Sequence, residues 1–264
     1  MEVILVDGPN DAAHLLADTV EDCVAHTSPT SLGVATGSTP VAGYSELVRR
    51  HRAGVGPSYA DTTFFTLDEY VGLAADSPAT YRATIARDLT DPLGVAADRV
   101  HGPDTTPSTL QTAGERYEQL IAEAGGIDLQ IVGIGTDGHI GFNEPSSSLA
   151  SRTRFKTLAH STRVDNARFF DSIDEVPHHA LTQGLGTIMD ARKVLLVATG
   201  PTKASAVAAT IEGPMAARCP ASVLQMHPHV VAVVDAEAAS QLQWRNYYRE
   251  AFDGKMGWQG QPGQ

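Results

Sequence analysis

Six short runs rich in Val, Ile, Leu and Phe, at 3–6, 32–35, 63–67, 127–134, 194–198 and 230–234, pass through this chain, most of them without alternating with polar residues. A strand with one wet face alternates. An unbroken apolar strand needs cover on both faces, which is the environment of a parallel sheet between two layers of helix. The segments between the runs supply those layers. Residues 12–25 and 41–52 carry helical spacing, and Tyr117, Leu120, Ile121 and Ala124 fall at i, i+3, i+4 and i+7 before Gly125-Gly126 ends the turn. Ala204, Val207, Ala208 and Ile211 repeat the spacing, and Gly213-Pro214 stops it. The expected fold is α/β, a three-layer αβα Rossmann-like sandwich with a mostly parallel central sheet. It is expected as one domain over 1–253, followed by a Gly- and Gln-rich tail at 254–264 that frays or packs as an extension.

Composition narrows the partners. A chain of 264 residues, 42% hydrophobic, can bury a substantial core. Its start, Met1-Glu2-Val3-Ile4-Leu5-Val6-Asp7, lacks the basic segment and long apolar run of a leader, and no stretch reaches the ~18 apolar residues of a membrane span, so a soluble, cytoplasmic protein with no membrane partner is expected. Cys23 and Cys219 are too few for a disulfide framework, show no CxxC spacing, and read as small core residues. The net charge of -12 would repel nucleic acid, so none is expected as a partner; an anionic small substrate would need a local cationic pocket.

Four segments could carry chemistry. Ala35-Thr36-Gly37-Ser38-Thr39-Pro40 follows an apolar run and opens a helix. Such a turn aims free backbone N–H groups, two hydroxyls and the positive end of the helix dipole at one point, which suits a phosphate. An ordinary turn capped by Ser or Thr has the same sequence features. Phe64-Phe65-Thr66-Leu67-Asp68-Glu69-Tyr70 places two acids where a run ends, at the carboxyl edge where open parallel sheets bind ligands, although an acidic pair there can equally cap the next segment.

In the third segment, Ile131 to Pro145, Gly133, Gly135 and Gly138 spell GxGxxG. A dinucleotide site requires a helix directly afterwards and an acid-ended strand about 20 residues on; Gly141 and Pro145 bracket too short a stretch, and the segment reads as a loop. That loop holds Asp137, His139 and Glu144 among glycines. An imidazole beside carboxylates shuttles protons near neutral pH, while a His139–Asp137 bond that merely stiffens the turn is the plainer alternative. The fourth segment is cationic, with Arg168 able to grip a phosphate as a fork and Lys203, at another strand-to-helix junction, as a point charge; either could be a solvated surface cation. His178-His179 and His227-Pro228-His229 lack the spaced ligand set of a zinc site, and no metal is expected.

Taken together, the strings TGSTP, LDEYVGL, GIGTDGHIGFNEPSSSLASRTR and TGPTKA, in this order between Leu32 and Asp235, resemble the glucosamine-6-phosphate deaminase (isomerase) family. The related phosphogluconolactonases share a Gly-x-Asp-Gly-His loop but not its continuation into Asn143-Glu144-Pro145. The resemblance implies conversion of glucosamine 6-phosphate to fructose 6-phosphate and ammonia without a cofactor, in amino-sugar catabolism. By similarity, Asp68 would move the proton between C2 and C1, and His139 would open the ring with Asp137 and Glu144 as its relay. Gly37, Ser38 and Thr39, with Arg168 and Lys203, would hold the phosphate. The family's hexameric members are activated by N-acetylglucosamine 6-phosphate at a subunit interface, and the residues of that site match Ser147, Ser148, Arg154, Lys156 and Thr157; a homo-oligomer, specifically a hexamer, is the assembly this implies. A solvated basic stripe of Arg152, Arg154 and Lys156 is the alternative. A lactonase-like hydrolase and a non-catalytic sugar-phosphate sensor on the same scaffold are the competing readings.

Overall fold

The computed structural model describes residues 1–256; the expected tail at 254–264 therefore lies outside the described residues from position 257 onward. Ten strands are formed: Glu2–Val6 (β1), Ser31–Val34 (β2), Thr63–Thr66 (β3), Asp68–Val71 (β4), Val100–His101 (β5), Leu129–Val132 (β6), Arg154–Thr157 (β7), His179–Thr182 (β8), Lys193–Ala198 (β9) and Val230–Asp235 (β10). Eight α-helices connect them: Pro9–His26 (α1), Ser38–Arg52 (α2), Tyr81–Ile85 (α3), Leu110–Glu123 (α4), His160–Asn166 (α5), Leu185–Met189 (α6), Ala204–Ile211 (α7) and Arg245–Asp253 (α8).

Seven strands make one sheet in the order β1-β10-β9-β6-β2-β3-β5, with every pairing parallel. The unbroken apolar runs are explained by two cores, one on each face. Within β9, Val194, Leu196 and Ala198 join one core while Leu195 and Val197 join the other, as the period of two in a strand requires. The first core takes Tyr117 and Ile121 of α4 and Val207 of α7; the second takes Leu16 and Val20 of α1 and Leu47 of α2. Helices thus cover both faces, and the α/β sandwich expected from the runs is the architecture found. Where α1 meets α2, Gly43 lets the helices close: a Cβ there would fall 2.6 Å from Leu16 Cδ2.

The strand order reverses between β2 and β6. From β2 the chain moves outward to β3 and β5, whereas from β6 it moves the other way to β9 and β10. The carboxyl ends of two adjacent strands whose connections diverge leave a crevice between them.

A second sheet was not legible in the sequence. It is antiparallel, ordered β4-β8-β7, and its first strand begins one residue after β3 ends. Leu67, whose N–H still bonds to Val34 of the main sheet and whose carbonyl accepts from Gln183, is the joint. Both Asp68 and Arg154 lie opposite Thr182, on either side of the central strand β8. Among the described residues no helix is long and apolar enough to cross a membrane.

Candidate functional site

The crevice at the switch point holds a cavity of about 410 Å³. Its wall is built by the turn after β2 (Gly37, Ser38, Thr39), the joint after β3 (Leu67, Asp68), the loop after β6 (Gly135, His139), α5 and the turn behind it (Asn166, Arg168), and the turn after β9 (Thr199, Lys203). Segments spread from Gly37 to Lys203 converge because four neighbouring strands all end on this edge.

The turn after β2 does not behave as an ordinary capped turn. The residue preceding α2 is Gly37, at φ 125°, and no side chain caps the helix. Pro40 falls third in the helix rather than first, a position whose missing N–H still belongs to the unsatisfied first turn. The Ser38 and Thr39 hydroxyls are not used as caps; Thr39 Oγ1 instead lies 3.1 Å from Thr199 Oγ1, tying the turn to the one after β9. That second turn is shaped by Asp235, buried at the end of β10, whose carboxylate accepts the Gly200 and Ala238 N–H groups. Its cation, Lys203, is pushed below the usual lysine range by burial, an effect Asp165 and Asp137 oppose and Arg168 reinforces. The Arg168 guanidinium rests 4.7 Å from the centre of the Phe169 ring.

The acidic pair divides. Glu69, 6% exposed, accepts N–H groups from Tyr70, Tyr81 and Arg82 at 2.8–2.9 Å and so caps the start of α3. Asp68, 5% exposed, lines the cavity; burial, reinforced by the neighbouring Glu69, holds its carboxyl well above the ordinary carboxylate range. The pair thus splits, Glu69 taking the capping role and Asp68 facing the cavity.

The loop after β6 contains no helix, as expected, and closes on itself through Gly135 N–H to His139 O and Gly138 N–H to Gly135 O. Gly138 has φ 86° and packs so tightly on Cys219 that a Cβ would fall 2.6 Å from its Sγ. His139 Nδ1 lies 2.7 Å from Asp137 Oδ1 and 3.7 Å from Glu144 Oε2, although the shorter contact is poorly aligned for a hydrogen bond. Burial pulls the Asp137 carboxyl up, but the His139 ring and the His139 backbone N–H, which Asp137 Oδ1 also accepts, outweigh it and bring the value to about 2. Glu144 is fixed from behind by Thr162 Oγ1 at 2.6 Å and by the Ala159 N–H.

One ligand atom from each of Asp137, His139 and Glu144 lies within 4.8 Å of the others, a set that could be read as a cation site. Two ligands at about 2.0–2.2 Å from a tetrahedral zinc ion would sit roughly 3.3 Å apart. The 2.7 Å between Nδ1 and Oδ1 is shorter than that spacing and brings the two side chains into direct contact. Of the other histidines, His227 is buried, with Nε2 on the Ala191 carbonyl and Nδ1 accepting the His229 N–H. Cys219 is buried and Cys23 half-buried, its thiol pushed up to about 11 chiefly by burial.

None of Ser147, Ser148, Arg154, Lys156 and Thr157 lines the cavity. Ser147 is buried with an unpartnered Oγ; Ser148 Oγ accepts the Ala150 N–H; Arg154, Lys156 and Thr157 lie on β7. Arg152, itself exposed, pairs with Glu118 and Asp190, while the half-buried Arg154 donates from Nη1 to Asn143 Oδ1 at 2.8 Å, one residue from Glu144. Residues with no sequence signal also face the site. Tyr81, Asn166 and Thr199 line it and Thr162 holds Glu144; only Thr199, inside the TGPTKA string, could have been anticipated.

The sequence pattern of the family described as glucosamine-6-phosphate isomerases/6-phosphogluconolactonase matches residues 9–233. A glucosamine-6-phosphate deaminase from Arthrobacter sp. (strain FB24) is 54% identical over 260 residues, 98% of this chain and 100% of the relative. A solved monomeric glucosamine-6-phosphate deaminase superposes with a TM-score of 0.88 at 38% identity, covering 91% of this chain and 100% of that one. The Trypanosoma brucei 6-phosphogluconolactonase, at 20% identity and a TM-score of 0.74 over 91% of this chain and 98% of its own, shares the fold.

Proposed function

Given that the chain belongs to the glucosamine-6-phosphate isomerase/6-phosphogluconolactonase family, we propose that it is a glucosamine-6-phosphate deaminase, which releases ammonia from glucosamine 6-phosphate to leave fructose 6-phosphate. The observation that carries this reading is that Asp68 and His139 line one cavity together with Ser38, Thr39, Arg168 and Lys203. Proton-transfer groups and an anion grip are what a ketol isomerisation of a sugar phosphate needs.

His139, with Nδ1 turned to Asp137 and Glu144, has Nε2 left to exchange a proton with the ring oxygen and free the C1 aldehyde. Asp68 then takes the C2 proton; the electron pair left behind forms the C1–C2 double bond while the C1 carbonyl π pair moves onto O1, and the proton returns at C1 as the amine lone pair forms the C2–N double bond and the proton the nitrogen gives up ends on O1. The nitrogen on C2 is now an imine, which adds water and expels ammonia. A carboxyl whose pKa is raised by burial is the stronger base once ionised, which suits it to a weakly acidic C–H. The phosphate on Gly37, Ser38, Thr39, Arg168 and Lys203 would hold C1 and C2 in register with these groups, so that binding energy remote from the reaction lowers its barrier.

The regulatory reading is a separate part of the proposal: Ser147, Ser148, Arg154, Lys156 and Thr157 form a second sugar-phosphate site, filled by N-acetylglucosamine 6-phosphate in a cytoplasmic homohexamer that works in N-acetylglucosamine breakdown. Supporting it is the contact from Arg154 to Asn143, through which charge on β7 can reach the segment bearing Glu144.

The deciding assay incubates the protein with glucosamine 6-phosphate and measures ammonia and fructose 6-phosphate in equal amounts. Hydrolysis of 6-phosphogluconolactone with no ammonia from the amino sugar would overturn the deaminase reading in favour of a lactonase.

A further inference from the structure

Arg168 is carried by α5 and the turn that follows, an arm that two side-chain hydrogen bonds, among other contacts, fasten to the rest of the protein from beneath. One is Thr162 on Glu144. The other is Asn166, whose Nδ2 donates to the Tyr70 hydroxyl at 2.9 Å. The same hydroxyl accepts from Tyr81 Oη at 3.1 Å, and Tyr81 is in turn set by Glu69 through its backbone N–H. Tyr70 is 1% exposed, its ring 5.7 Å from Phe170 of the arm, 5.6 Å from Phe142 of the catalytic loop and 4.7 Å from Tyr81. It does not line the 410 Å³ cavity; it faces a second chamber of about 260 Å³ across a wall that includes Tyr81, Asn166 and Arg168. Its hydroxyl is taken by Asn166 and Tyr81, and one of these bonds ends two positions from the cation expected to grip the phosphate.

We propose that the Tyr70 hydroxyl is a positioning group for the phosphate end of the site, holding the arm through Asn166 so that Arg168 faces the cavity. This rests on the assignment of Arg168 to the phosphate. A phenylalanine at 70 keeps the aromatic packing and removes only the shared oxygen, leaving Asn166 without its acceptor.

The test measures binding of inorganic phosphate by calorimetry alongside KM and kcat for glucosamine 6-phosphate, in the whole protein and in Tyr70→Phe, Asn166→Leu, the double variant and Arg168→Ala. Loss of one such hydrogen bond should weaken phosphate binding and raise KM roughly five- to tenfold, with kcat within about twofold. A purely architectural role would lower the melting temperature and leave the phosphate affinity of the folded protein alone. Adding Tyr70→Phe to Asn166→Leu should cost nothing further, because the bond is already gone. Weaker phosphate binding in Arg168→Ala with none in Tyr70→Phe, or fully additive losses in the double variant, overturns the inference and leaves the site reading standing. Unchanged phosphate binding in Arg168→Ala overturns the assignment of Arg168 itself, and the inference with it.

Discussion

Asp68 ionises at a disadvantage, since burial and the adjacent Glu69 both favour its neutral form. Two consequences follow from that one fact. Asp68→Asn should reduce turnover about 10²- to 10⁴-fold, the range of a lost general base, with phosphate binding kept. A carboxyl whose folded pKa is raised adds stability that is fully present below its unfolded value and is lost as pH rises through the folded one. The melting temperature of Asp68→Asn should therefore match the native protein in acid and exceed it increasingly above the ordinary carboxylate range; parallel curves from pH 4 to 8 would remove this account. Asp137 runs the other way. Lowered from 3.8 to about 2, it contributes stability that is present above its unfolded value and is lost as pH falls toward 2. At this scale the residue types and their crowding are legible in the string, but their division of labour is not. Asp68 and Glu69 are indistinguishable neighbours in the string, and only the period of the strand sends one to the cavity and the other to the start of α3.

The loop after β6 is an element defined by its glycines, and one of them has a measurable duty. A Cβ at Gly135 would fall 2.2 Å from His139 Cε1. The obstructed neighbour is a side chain that can swing aside, so Gly135→Ala should displace the imidazole more than it unfolds the protein. Turnover is expected to fall up to about 100-fold with a nearly unchanged melting temperature, checked by kinetics and calorimetry. A melting temperature lowered by many degrees at unchanged turnover would contradict this. Among the elements, the strands covered on both faces were readable because burial on both sides leaves an unbroken apolar signature. The small sheet was not. In β7, Arg154-Phe155-Lys156-Thr157 carries half-buried and exposed side chains in alternation, and its four residues offer too little pattern to separate a strand from a loop. Tyr81, Thr162 and Asn166 went unread for a related reason, since their partners stand 11, 18 and 96 positions away.

Across the whole molecule, the site lies where the strand order reverses, so the alternation of runs and helices carries information about where a ligand binds as well as about fold class. What alternation cannot carry is assembly. Light scattering combined with a substrate titration, with and without N-acetylglucosamine 6-phosphate, tests that part. A hexamer whose sigmoidal curve turns hyperbolic, and an Arg154→Ala variant that stays sigmoidal, are the expected outcomes. A monomer indifferent to the activator would remove the regulatory reading and leave the chemistry untouched.

Leu67 alone separates two sheets of opposite character. Because side chains alternate along β4, shortening the chain here by a single residue would present Glu69 to the cavity and turn Asp68 away from it, even with both sheets intact. The stretch from Phe65 to Tyr70 thus behaves as a frame with no tolerance for a change in count, unlike the exposed turn at 54–56, which lies outside any strand.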